Sequence, residues 1–119
     1  MKTRKIRPPF FAALLLMASL FVACDKLDLP KGTPACIKEK IKAVDGKDIV
    51  ATPTSVTRWE VDGKTYYYLA SACCDQFNDL VDENCNYICA PDGGLTGQGD
   101  GNCPVWVGEI KTELIWEHD

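Results

Sequence analysis

"VTRWEVDGKTYYYLA", residues 56–70, is the stretch on which the fold turns. Val56 to Val61 alternates in the manner of a strand, with Thr57, Trp59 and Val61 on one face. Asp62-Gly63 follows, a pair that accepts the positive φ of a two-residue hairpin turn. Thr65 to Ala70 returns as the partner strand, rich in the aromatic and β-branched residues that suit a pleated surface. Within it Tyr66 and Tyr68 share one face and Tyr67 takes the other.

Working outward, Thr33-Pro34 has the form of a helix start, Thr as N-cap and Pro at the first helical position. Ile37, Ile41 and Val44 then recur at four and three residues, opposite Lys38, Glu39 and Lys42. Asp45-Gly46 closes this helix, expected over 34–44. Downstream, Tyr87-Ile88-Cys89 belongs to a third strand. Glu109 to Trp116 forms a fourth, with Ile110, Thr112, Leu114 and Trp116 on one face. Asp75 to Asp82 reads as a short helical turn bearing Phe77, Leu80 and Val81. Residues 90–104, with five glycines, read as a loop without strand or helix. The expected architecture is α+β, a small antiparallel sheet with one packed helix, rich in disulfides.

The amino terminus decides where such a domain resides. Lys2, Arg4, Lys5 and Arg7 precede an apolar run from Phe10 to Ala23, broken only by Ser19, which is the pattern of an export signal. A run of this length covers about 21 Å, short of the about 30 Å of a hydrocarbon core. Phe21-Val22-Ala23-Cys24 resembles the lipobox of bacterial lipoproteins, although Phe21 stands where leucine is usual. That resemblance implies cleavage before Cys24 and a lipid on its thiol and amino group, an anchor that holds stably because it has more than one chain. The expected organisation is a signal over 1–23, a lipidated tether over 24–33 and a disulfide-stapled domain over 34–119. The expected place is the bacterial envelope, at the outer membrane or cell surface, with the membrane as one partner. Asp25 and Asp28 sparsely resemble the acidic export signals of surface lipoproteins.

Without the four signal cations, nine Lys and Arg face 17 Asp and Glu, a net charge of about −8. Residues 65–119 hold Lys111 alone against ten acids. Nucleic acid is excluded as a partner, because phosphate binding needs a basic patch.

Of seven cysteines, lipidation of Cys24 leaves an even six: Cys36, Cys73, Cys74, Cys85, Cys89 and Cys103. In a short exported chain that parity implies disulfides, which offset the small core such a domain can bury. Zinc ligands pair as C-x2-4-C, a spacing that only Cys85 and Cys89 approach, and the one histidine, His118, lies at the far end. The thioredoxin-type C-x-x-C is absent. Fifteen connectivities satisfy six cysteines. If 85–89 is extended, its ends lie about 13 Å apart, too far to pair with each other. The expected set is Cys89–Cys103, closing the glycine-rich loop, with Cys36 joined to Cys73 or Cys74 and Cys85 to the other.

"CCDQFNDLVDENCNYICAPDGGLTGQGDGNCP", residues 73–104, resembles an uncharacterised family of small lipoproteins and secreted domains of the Bacteroidota, with its CCD-Q-F-N, C-A-P-D-G-G and G-D-G-x-C segments. The resemblance extends over most of residues 34–104. It implies a domain of unknown function and carries no active site with it.

Chemistry-bearing residues are few. After the signal the chain holds two serines, Ser55 and Ser71, and a terminal His118, so a nucleophile–base pair is missing and catalysis is not expected. No cofactor fingerprint is present. Asp92, Asp100 and Asn102 offer oxygen ligands in glycine turns, which gives a calcium-dependent module as the first alternative, though without EF-hand spacing, ahead of a small envelope enzyme. The reading that remains is a binding module for an envelope or extracellular partner. Its expected contacts are Leu95, Thr96 and Gln98 in the long loop, since long loops in small domains carry function.

Overall fold

The computed structural model describes residues 27–47, 51–73 and 75–118. The segment expected as an export signal, the expected lipid site at Cys24, and Cys74 lie outside these residues. Among the described residues one helix, α1 (Ala35–Val44), precedes five strands: β1 (Ser55–Val61), β2 (Lys64–Ala70), β3 (Phe77–Val81), β4 (Tyr87–Gly93) and β5 (Lys111–Glu117). The strands form one antiparallel sheet in the order β4-β3-β2-β1-β5.

The β1–β2 hairpin is the centre of that sheet. Ser55 faces Ala70 and Val61 faces Lys64. Both turn residues take positive φ, 51° at Asp62 and 76° at Gly63, the conformation a two-residue turn demands.

The expected α+β balance is corrected: the fold is sheet-dominated, with one ten-residue helix beside five strands among the described residues. Residues 77–81 account for much of the difference. Phe77, Leu80 and Val81 have helical spacing, yet the segment is β3, with Tyr67 opposite Val81 and Tyr68 opposite Leu80. Three apolar positions in a short segment fit either period, and pairing with β2 decides between them. A second difference is the length of β4, which runs through Pro91 to Gly93, inside the expected loop. Proline is tolerated there because Pro91 falls at a register irregularity, between the Leu80–Cys89 and Asn78–Asp92 pairs, where the ladder is already interrupted.

Each sheet face carries its own apolar cluster. On one, Val56, Tyr67, Leu69, Val81 and Ile115 pack with Ile37 and Ile41 of α1. Both isoleucines are fully buried, as their spacing predicts. The helix start differs from expectation: Pro34 is the N-cap, and the Thr33 hydroxyl instead donates to the Pro30 carbonyl at 2.7 Å. The Cys36–Cys85 disulfide ties α1 to the β3–β4 turn. The expected partner of Cys36, Cys73 or Cys74, is thereby corrected. A tight turn brings Cys85 under the helix, with the Asp82 carboxylate accepting from the backbone N–H of Asn84 and Asn86 at 2.9 and 2.8 Å.

The face expected for β5 is also corrected. Val56 faces Trp116 while Thr57 faces Leu114, so Ile115 is an extra residue, a β-bulge. Past the bulge Trp116 joins the helix-side cluster instead of continuing the Ile110, Thr112, Leu114 face.

Candidate functional site

The second cluster, Val61, Tyr66, Leu80 and Cys89, lies on the sheet face away from α1. It is covered not by a helix but by the segment after β4, residues 94–108, here called the cap. Four sets of bonds fix the cap.

Cys89–Cys103 closes it, the pairing expected for the glycine-rich loop. At its centre Gly99 donates to the Gly93 carbonyl and Asp100 to the Ala90 carbonyl, both at 3.0 Å. The Asp100 carboxylate accepts from the Tyr87 hydroxyl and from the N–H groups of Asn102 and Ala90. These donors, the Tyr87 hydroxyl foremost, favour the ionised form and hold the Asp100 carboxyl at about 2. At the exit, Asp62 of the hairpin turn accepts from Val107 and Gly108 N–H at 2.9 and 2.8 Å. The Asp-Gly turn therefore both reverses the chain and moors the end of the cap.

Trp106 plugs the space beneath. Its ring meets Trp59 edge-on at 6.0 Å and Tyr66 at 5.9 Å, while Trp59 stacks on Tyr68 at 5.5 Å. Edge-to-face and offset contacts suit the quadrupoles of these rings. The Trp106 Nε1 is buried without a hydrogen-bond partner among the described residues. Beside it Trp59, Pro91, Gln98, Cys103, Trp106 and Ile110 border a groove of about 350 Å³.

Asp92 sits lower, on β4. Its carboxylate accepts from the Tyr68 hydroxyl at 2.7 Å and from Asn78 Nδ2 at 2.8 Å, while Asn78 Oδ1 accepts from Ser71 N–H. Burial first, and then this bond to Asp92, push the Tyr68 hydroxyl well above its ordinary value. The network satisfies polar groups that the half-buried β2–β3–β4 surface would otherwise leave unpaired.

The residues singled out from sequence are distributed unevenly over this arrangement. Gln98 reaches the groove, whereas Leu95 and Thr96 stand at the cap surface, Leu95 being 86 % exposed. Asp92 and Asp100 belong to separate hydrogen-bond networks, each carboxylate already taken up by donors. Asn102 meets Asp100 through its backbone N–H. Among the described residues no group of three His, Cys, Asp or Glu is placed to hold a metal ion. Trp106 and Asp62 were not legible as cap residues. The chain around Trp106 has neither strand nor helix period, so no pattern assigns it a face.

No curated protein and no solved structure matches the chain. A family model described as Domain of unknown function (DUF6970) matches residues 42–118, from the end of α1 through β5. The match spans more than half of the sequence and takes in both the sheet and the cap, and the chain belongs to the DUF6970 family.

Proposed function

We propose that this protein is a lipid-anchored module of the bacterial envelope that binds a macromolecular partner through its cap and performs no catalysis. The observation that carries the reading is the contrast between how firmly the cap is held and what it exposes. A disulfide, the Asp100 carboxylate and the Asp62 carboxylate fix its backbone. Yet Leu95, Val105 and Val107 are 86 %, 95 % and 94 % exposed. Aliphatic side chains on a fixed backbone are ready-made contacts, because little chain entropy remains to be lost on binding. The groove with Trp59, Trp106 and Gln98 adds a recess of the kind that anchors hot-spot side chains.

The test leaves the cap's interior intact. Gln98→Ala combined with Leu95→Ser, Val105→Ser and Val107→Ser removes the exposed contacts without touching the disulfide or either carboxylate. The expected outcome is an unchanged melting temperature, since exposed substitutions alter stability by about 0.5 kcal/mol or less each. Photo-crosslinking from position 96 in intact envelopes then loses the adduct formed by the parent protein. An adduct of undiminished yield would show that these side chains do not carry the binding and overturn the assignment.

The anchor rests on the cationic start, the apolar run and Ala23-Cys24. The resemblance to small Bacteroidota lipoproteins supports the same reading. A tether over 24–33 leaves the domain free to meet partners near the membrane. Replacing Cys24 with Ser is expected to release the protein from the membrane fraction and to abolish incorporation of labelled fatty acid. Unchanged partitioning would overturn this assignment.

A further inference from the structure

β5 is an edge strand: one side pairs with β1, and among the described residues no strand pairs with the other. An open edge presents a row of unpaired N–H and C=O groups, which proteins usually cover, charge or bend away. Here the bulge at Ile115 bends only the end of the strand. The residues before it, Ile110 to Leu114, are all exposed, Ile110 at 36 % and Leu114 at 56 %.

We infer that this edge is a self-association surface, where Ile110–Leu114 pairs antiparallel with the same segment of a second copy about a two-fold axis at Thr112. The segment reads Ile-Lys-Thr-Glu-Leu and is complementary to its own reverse. In this register Ile110 lies opposite the second copy's Leu114, Lys111 opposite its Glu113, and Thr112 opposite itself. Apolar, opposite-charge and Thr–Thr pairs are each favourable across an antiparallel ladder. A shift of one residue in the pairing breaks all of these matches.

The charges inside each copy fit the same arrangement. Glu113 is held by Arg58 at 2.9 Å, and Arg58 also pairs with Glu60. Lys111 is opposite Glu60 in the β1–β5 register but forms no ion pair among the described residues. Across the dyad the row would run Arg58, Glu113, then Lys111 and Glu60 of the second copy, alternating in sign. The interface is isologous and closes at two copies, which joins two five-stranded sheets into one. It uses the strand edge and not the exposed cap residues of the proposed binding site; Ile110 alone also borders the groove, and Thr112, which lies outside it, separates the two assignments.

Cysteine crosslinking of the full chain in membranes reads the register directly. Thr112→Cys places two thiols face to face and is expected to give a reducible dimer about tenfold faster than Thr96→Cys on the cap, which crosslinks only by collision. Chains carrying Ile110→Cys and Leu114→Cys, mixed, should crosslink with each other and not with themselves. This pair tests the same register should Thr112→Cys impair folding. In the Thr112→Cys background, Lys111→Glu or Glu113→Lys alone is expected to weaken the dimer about tenfold, and mixing the two chains to restore it. Crosslinking of Thr112→Cys no faster than of Thr96→Cys overturns the proposal. So does a yield indifferent to charge reversal at 111, or self-crosslinking by Ile110→Cys.

Discussion

Replacing Cys36 and Cys85 together by serine is expected to lower the melting temperature by about 20 °C or more, the largest effect of any substitution pair in this domain. The bridge spans 49 positions of sequence. In the loop-entropy account a closure of that length removes about 4 kcal/mol of freedom from the unfolded chain, against about 3 kcal/mol for Cys89–Cys103. Whole-domain stability is about 5–15 kcal/mol, so either bridge is a large share of the total. The native contacts point the same way. α1 has only ten residues, too few to persist alone, and its apolar packing rests on Ile37, Ile41 and Val44, with Leu27 and Leu29 beside them. Thermal melts followed by circular dichroism, with and without reductant, measure the effect. A fall below about 5 °C would mean that packing of α1, not its covalent tie, holds the helix side.

The second large effect is expected at Gly99. Its φ is +76°, and a Cβ added there would lie 2.1 Å from the Ala90 carbonyl oxygen and 2.7 Å from the Pro91 carbonyl carbon. Both are backbone atoms of β4 and cannot rotate aside. Gly97 has nearly the same dihedral, +79°, but a Cβ there meets open space. Gly97→Ala therefore isolates the left-handed penalty, about 1–2 kcal/mol. Gly99→Ala adds overpacking against β4, bringing the expected loss to about 3 kcal/mol or more. It should also raise hydrogen exchange at the Gly99 and Asp100 amides, whose bonds to Gly93 and Ala90 hold the cap on the sheet. Equal costs at the two positions would show that the cap can lift from β4 without penalty.

Legibility in the sequence followed the range of the interaction. Residues 56–70 were readable because alternation and an Asp-Gly turn are local, and the register of β1 on β2 follows from a turn of fixed length. The buried stripe of α1 was readable for the same reason. Phe77 to Val81 departs from its expected helical turn because a helical and a strand period coincide over five residues, and pairing with β2 and β4 across the ladder separates them. The bulge at Ile115 left no local mark, so the face of Trp116 could not be foreseen. At the candidate site Gln98 was singled out from loop composition alone. The rings that border its groove, Trp59 and Trp106, come together from positions far apart in the chain.

The sequence by itself determined a central hairpin, a helix with one apolar stripe and a glycine-rich segment between Cys89 and Cys103. Each depends on spacing, turn chemistry or reach within a few residues. Only the tertiary structure decided that sheet outweighs helix, that Cys36 pairs with Cys85, and that the loop is a fixed cap over a second apolar face. Those outcomes depend on which distant segments meet. A free Asp62 carboxylate and a free Val107 amide look the same in any sequence until folding sets them 2.9 Å apart. Non-local pairing of this kind is decided by the joint burial of both sheet faces, a property of the whole chain that no single segment carries.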